Sequence, residues 1–199
     1  MAPESLLPLV LFAAIATGTP GAATTLATAS GASFGFRRSV PLLAGVAFGL
    51  ALLAAAAASG LAALLLAAPA LHFALKIVGS AYLLWLAVQI GRKGRPRQVA
   101  DLATPTSLLG GAFLQWLNPK AWAMTLGAAA SFATQASGPG HLALLLGAAF
   151  GVAGMLSMML WCSAGLMLAK LLRSERQWRM LNICLALLLA LSIVPMWLE

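Results

Sequence analysis

Thr19-Pro20-Gly21 and Asn118-Pro119-Lys120 are the two places where an otherwise apolar chain of 199 residues interrupts its own helices, and the two prolines stand 99 positions apart. Proline removes a hydrogen-bond donor from the helix ladder, and lipid tolerates the loss only where the freed backbone groups face protein or a polar cavity. Interrupted hydrophobic segments at corresponding places in two halves are the sequence pattern expected around a transporter's binding site.

The rest of the chain fits a membrane setting. Hydrophobic residues make up 62% and charged residues only 8%, against roughly 25% charged in a soluble domain, and the mean hydropathy is +0.97. The apolar runs are too long and too little alternating for barrel strands. Breaks at Arg37-Arg38, Ala68-Pro69, Arg92 to Arg97, Ser137-Gly138-Pro139-Gly140 and Lys170 to Arg179 predict six helical spans near 5–33, 40–66, 70–91, 107–133, 141–169 and 180–198. The expected architecture is one all-α integral membrane domain over 1–199, with a first repeat of about 1–99, a second of about 100–199, and the first helix of each broken. Three spans per half is an odd number, so the two repeats enter the bilayer in opposite senses. Ala22-Ala23 after a short apolar run imitates a signal-peptide cleavage site, but the preceding segment carries Glu4 and no basic residue, the reverse of a secretory signal.

The net charge of +8 would suggest nucleic acid on a soluble chain; its placement argues against that partner. Arg37, Arg38, Arg92, Lys93, Arg95, Arg97, Lys170, Arg173, Arg176 and Arg179 fall in the first, third and fifth connections, while the second and fourth connections and both termini carry no lysine or arginine. The positive-inside rule puts those loops in the cytoplasm and both termini outside, with anionic lipid head groups as secondary contacts.

Two lysines lie inside spans. Lys76 is near an outer end beside His72, where its stem snorkels to the interface or serves an outer gate. Lys120 lies near the midplane, and all four acids (Glu4, Asp101, Glu175, Glu199) are at termini or loops. A charge at that depth costs about 2.5–3.5 kcal/mol on insertion scales. Two readings stand: an anion contact in a polar cavity, or a bond to backbone carbonyls freed by Pro119. Thr19-Pro20 and Asn118-Pro119 each read as an N-cap followed by proline at the first helical position, so two half-helix N-termini are expected to converge on an anion-friendly site. The candidate substrate-binding residues are Thr19, Pro20, Gly21, Thr24, Thr25, Gln115, Asn118, Pro119 and Lys120. Trp116 and Trp122 flank the second break as packing, as interface anchors or as a ligand wall; Gly147 and Gly151 serve close packing or a homodimer; Met155, Met158 and Met159 are expected to be lipid-facing or core filler rather than a metal path.

No catalytic motif, P-loop, metal-ligand spacing or dinucleotide fingerprint is present, so neither an enzyme nor a cofactor is expected. Cys162 and Cys184 leave a second class open, an intramembrane thiol/disulfide electron carrier. A third is a non-transporting membrane assembly subunit.

Three stretches together resemble a known family. Thr19-Pro20-Gly21 followed by Ser30-Gly31-Ala32-Ser33-Phe34-Gly35-Phe36-Arg37-Arg38, the segment from Leu75-Lys76 to Gly79 with Ala81-Tyr82-Leu83-Leu84-Trp85-Leu86, and Gln115-Trp116-Leu117-Asn118-Pro119-Lys120-Ala121-Trp122 make the chain similar, over nearly its whole length, to the LysE/RhtB amino-acid exporters. It looks most like the branch that exports cysteine and O-acetylserine. The resemblance implies proton-driven efflux of a small amino acid or derivative across a bacterial inner membrane. The family commonly reads Pro-Gly-Pro-Asn at the first break, and this chain has Pro20-Gly21-Ala22-Ala23; the resemblance therefore leaves the substrate open.

Overall fold

The computed structural model describes residues 3–61, 69–92, 106–194 and 197. Ala68, Lys93, Arg95, Arg97, Asp101 and Glu199, and the side chain of His72, lie outside the described residues. Among those described there are eight α-helices and no strand: α1 (Pro3–Gly18), α2 (Ala22–Phe34), α3 (Phe36–Ala56), α4 (Pro69–Gly91), α5 (Leu108–Trp116), α6 (Pro119–Phe132), α7 (Pro139–Leu171) and α8 (Glu175–Leu191). A π-helical turn, Ala57–Leu61, continues α3 and kinks at Gly60, where φ is 101°.

Phe36–Gly60 and Pro139–Leu171 are each long and apolar enough to cross a membrane, and Leu6–Gly18 with Ala22–Phe34 makes a third span if counted as one helix bent by 60°. At 1.5 Å per residue the 33 residues of α7 run about 50 Å, well beyond a hydrocarbon core of about 30 Å.

The helix ends show why the sequence-predicted boundaries shift. α3 begins at Phe36 rather than near 40, because Gly35 alone (φ 77°, ψ 171°) turns the chain out of α2. α8 begins at Glu175 rather than near 180, because Ser174 and Gln177 form a capping box. Arg37, Arg38 and Arg176 therefore belong to the first turns of helices and Arg179 to the second turn of α8, not to free loops.

Size is sorted in the manner of a protein in lipid. Large apolar side chains such as Leu7, Ile15, Leu109, Leu144 and Leu160 face outward. The interior holds Thr17, Thr24, Thr25, Thr28, Ser30, Ser39, Gln115, Asn118, Thr125 and Ser157 together with small alanines. Every residue of α2 from Ala22 to Ala32 is buried, so this helix is the axis of the bundle.

Two crossings bring backbones together. α2 meets α7 where a Cβ on Gly31 would strike the carbonyl of Cys162 and one on Gly165 the carbonyl of Thr28. α3 meets α5 in the same reciprocal way, Gly45 against the Leu108 carbonyl and Gly111 against that of Leu42. Gly147 and Gly151 pack inside the chain as well, against Ala51 and Ala55 of α3.

Candidate functional site

The first break is built from carbonyls. Helix α1 stops at Gly18 because Pro20 has no N–H to continue it, and the carbonyls of its last turn need donors from elsewhere. The Thr19 N–H reaches the Ile15 carbonyl at 3.1 Å, and the Thr19 hydroxyl donates to Ala16 at 3.0 Å. Two side chains of α7 supply the next bonds: Ser157 Oγ donates to the Thr17 carbonyl at 2.7 Å and Trp161 Nε1 to that of Gly18 at 3.1 Å. Lys120 Nζ completes the series, 2.6 Å from the Thr19 carbonyl, 2.6 Å from Thr19 Oγ1 and 3.5 Å from the Pro20 carbonyl. The second half of the chain thus caps the broken helix of the first.

Thr19 is not the N-cap of the next half-helix, as its place before proline suggested. The residue before proline is disfavoured in the helical region, Gly21 is extended (φ 177°, ψ −170°), and α2 starts only at Ala22. Thr24 does the capping instead: its Oγ1 accepts from the Gly21 N–H at 2.8 Å and donates to the Gly21 carbonyl at 2.9 Å. The N–H groups of Ala22, Ala23 and Thr24 precede the first intrahelical bond, that of Thr25 to Gly21 at 2.9 Å, and carry no hydrogen bond among the described residues.

The second break follows the expected pattern. Asn118 is the N-cap of α6, its side chain accepting from the Lys120 N–H at 3.2 Å, with Pro119 at the first helical position. Asn118 Nδ2 donates to Gln115 Oε1 at 3.1 Å. Trp122 Nε1 donates to the Trp116 carbonyl at 2.8 Å and the two rings pack edge to face, so these tryptophans brace the break and do not line a cavity.

Between the breaks lies a small cavity of about 20 Å³, whose polar wall is Thr17, Gly21, Thr24, Gln115, Asn118 and Lys120 and whose apolar wall includes Val46, Leu50, Met124 and Met158. That is on the order of one water molecule. Gln115 and Asn118 are 2% and 4% exposed, and the Gln115 amide nitrogen has no partner among the described residues.

Of the sequence-predicted residues, Gly21, Thr24, Gln115, Asn118 and Lys120 border this space, and Thr19 and Pro20 join it through Lys120. Pro119 is the bend beside it. Thr25 is buried within α2 but is not on the cavity wall. Lys76 lies on α4, which packs against α8, away from the cavity. The Lys120 ammonium rests on the Thr19 hydroxyl and on the carbonyls of Thr19 and Pro20, not on carbonyls released by Pro119.

Sequence reasoning missed Ser157 and Trp161. Their one signal is a polar residue and an indole at i and i+4 on a helix otherwise apolar and rich in Met. Met158, expected to be filler, is on the cavity wall. Cys162 is buried and Cys184 exposed, and neither is in a disulfide.

The LysE type translocator family model matches residues 14–193, a range that includes both breaks. The chain belongs to that family. The LysE type chain is 30% identical over 195 residues to proteins named "Cysteine/O-acetylserine efflux protein" from Escherichia coli (strain K12) and from Shigella sonnei (strain Ss046), with 98% of each chain covered. No solved structure matches. Family and apolar helices together make this a multi-pass membrane protein of a transporter family rather than an enzyme family.

Proposed function

We propose that this LysE type translocator is a secondary active exporter of a small amino acid or amino-acid derivative across the bacterial inner membrane, and that its substrate binds between the two breaks. The carrying observation is the cavity bordered by the start of α2 and by Gln115, Asn118 and Lys120. Unbonded N–H groups at a helix N-terminus favour a carboxylate, and the names of the relatives direct the first choice of substrate to cysteine and O-acetylserine.

In this reading six spans form two inverted repeats, α1 with α2 and α5 with α6 being the broken first spans. The packing supports it: α3 lies against its counterpart α7, α4 against its counterpart α8, and α1 against α7 as α5 does against α3. Access alternates as one repeat rocks on the other, driven by protons, with the basic clusters in the cytoplasm and both termini outside. The cavity is too small for an amino acid, so loading parts the helices around it.

Export of labelled cysteine or O-acetylserine from preloaded vesicles tests the reading. We expect flux that falls about tenfold or more in Lys120→Ala and in Pro20→Ala, the range in which buried polar contacts act. Full flux in both variants removes the site assignment; no flux of any amino acid from the natural chain removes the exporter.

A further inference from the structure

We infer that the Lys120 ammonium and the α-ammonium of the transported amino acid compete for one set of oxygens, so that substrate binding ejects Lys120 from the first break. The inference rests on the exporter reading above and assigns the second pole of the substrate.

A zwitterion needs an acceptor cluster for its ammonium as well as donors for its carboxylate. Among the described residues around the cavity no carboxylate exists, and Lys120 is the only titratable side chain on its wall. The wall's own side-chain oxygens, on Thr17, Thr24, Gln115 and Asn118, are already engaged; the acceptors joined to the cavity through Lys120 are the Thr19 carbonyl, Thr19 Oγ1 and the Pro20 carbonyl. They belong to the end of α1, where the helix dipole is negative. They already surround an ammonium, that of Lys120, at 2.6, 2.6 and 3.5 Å. The donors suited to a carboxylate, the N–H groups of Ala22, Ala23 and Thr24, begin two residues farther along the same strand of backbone.

The neighbouring carbonyls are not available in the same way. Those of Thr17 and Gly18 are held by Ser157 and Trp161, side chains of α7. Lys120 alone approaches on a long flexible stem. That stem lies over Gly21, where a Cβ would come within 3.1 Å of Lys120 Cδ and 3.5 Å of Nζ. A Cβ at Gly21 would press that stem aside by a few tenths of an ångström, so the bare glycine leaves it room to shift, and rotation about its last bonds carries Nζ from the Thr19 side of Gly21 to the α2 side. In the loaded protein the substrate ammonium takes the three oxygens and Lys120 turns to the carboxylate. Charge is conserved throughout, no proton is transferred in the exchange itself, and the Lys120–Thr19 bonds that tie the second half of the chain to the first are released only when substrate replaces them.

Binding of three small molecules to the purified full chain tests this: O-acetylserine, its N-acetyl derivative, which lacks the ammonium, and O-acetylethanolamine, which lacks the carboxylate. A tethered competitor lowers apparent affinity by the fraction of time it occupies the site. In Lys120→Met we expect O-acetylethanolamine to bind at least about tenfold more tightly than to the natural chain and the N-acetyl derivative to bind more weakly. Lys120→Gln, which keeps a donor without a charge, gives the same direction should the methionine variant not fold. Unchanged or weaker binding of O-acetylethanolamine in the folded variant overturns the inference, whatever happens to O-acetylserine. Tighter amine binding in the variant, beside a natural chain that neither binds nor exports O-acetylserine or cysteine, keeps the shared ammonium site and removes the exporter reading.

Discussion

At the scale of single residues, the first break is held by side chains from elements far away in sequence. Ser157→Ala leaves the Thr17 carbonyl without its donor, and interhelical hydrogen bonds in membranes are worth about 1 kcal/mol. For a chain of this size we expect the melting temperature to fall about 2–4 °C, measured on purified protein. Asn118→Ala removes an N-cap and the partner of Gln115 at once, at a cost of about 1 kcal/mol for the cap alone, and transport should fall more than stability does. Lys120 stood out in sequence as a lone charge in a long apolar run. Its partners were not legible, because backbone carbonyls carry no mark in sequence and those of Thr19 and Pro20 lie a hundred positions away. Thr19 misled for a related reason: Thr-Pro has the composition of a helix start, while the extended Gly21 delays the helix until Ala22.

At the scale of elements, the crossing of α2 and α7 is the contact least able to accept change. Gly31→Ala sets a methyl group against the Cys162 carbonyl, and a backbone cannot move aside as a side chain does; we expect a loss of about 3 kcal/mol or more and poor recovery of folded protein. Gly127→Ala is the matched control, an exposed helical glycine with nothing within 4 Å, and should be neutral or stabilise by up to about 1 kcal/mol. Thermal unfolding of the two variants side by side checks both. The existence of these helices was legible from run length and from the two prolines. Their pairing was not, because Gly31 and Gly165 look in sequence like any other small residues of an apolar helix, and Gly147 with Gly151 presented a stronger spacing for a weaker contact.

At the scale of the whole molecule, the expected orientation rests on charge alone. If the basic clusters are cytoplasmic, a reporter fused after Glu199 is active only when it works outside the cytoplasm, and a reporter active only inside reverses the assignment. The composition made a multi-span membrane protein legible, and the two prolines marked the places where helices break. What the composition did not carry is how short the joints are: Gly35 is the whole connection between α2 and α3, a length that only the positive φ of a glycine permits.

That joint is also braced. Ser30 and Ser39 hydroxyls bond across it at 2.7 Å, Ser39 donates to the Gly35 carbonyl at 2.8 Å, and the Arg38 guanidinium lies 5.9 Å from the centre of the Phe34 ring. α2 and α3 therefore behave as a bell-crank: a tilt at the cavity end of α2 swings the arm that carries Arg37 and Arg38.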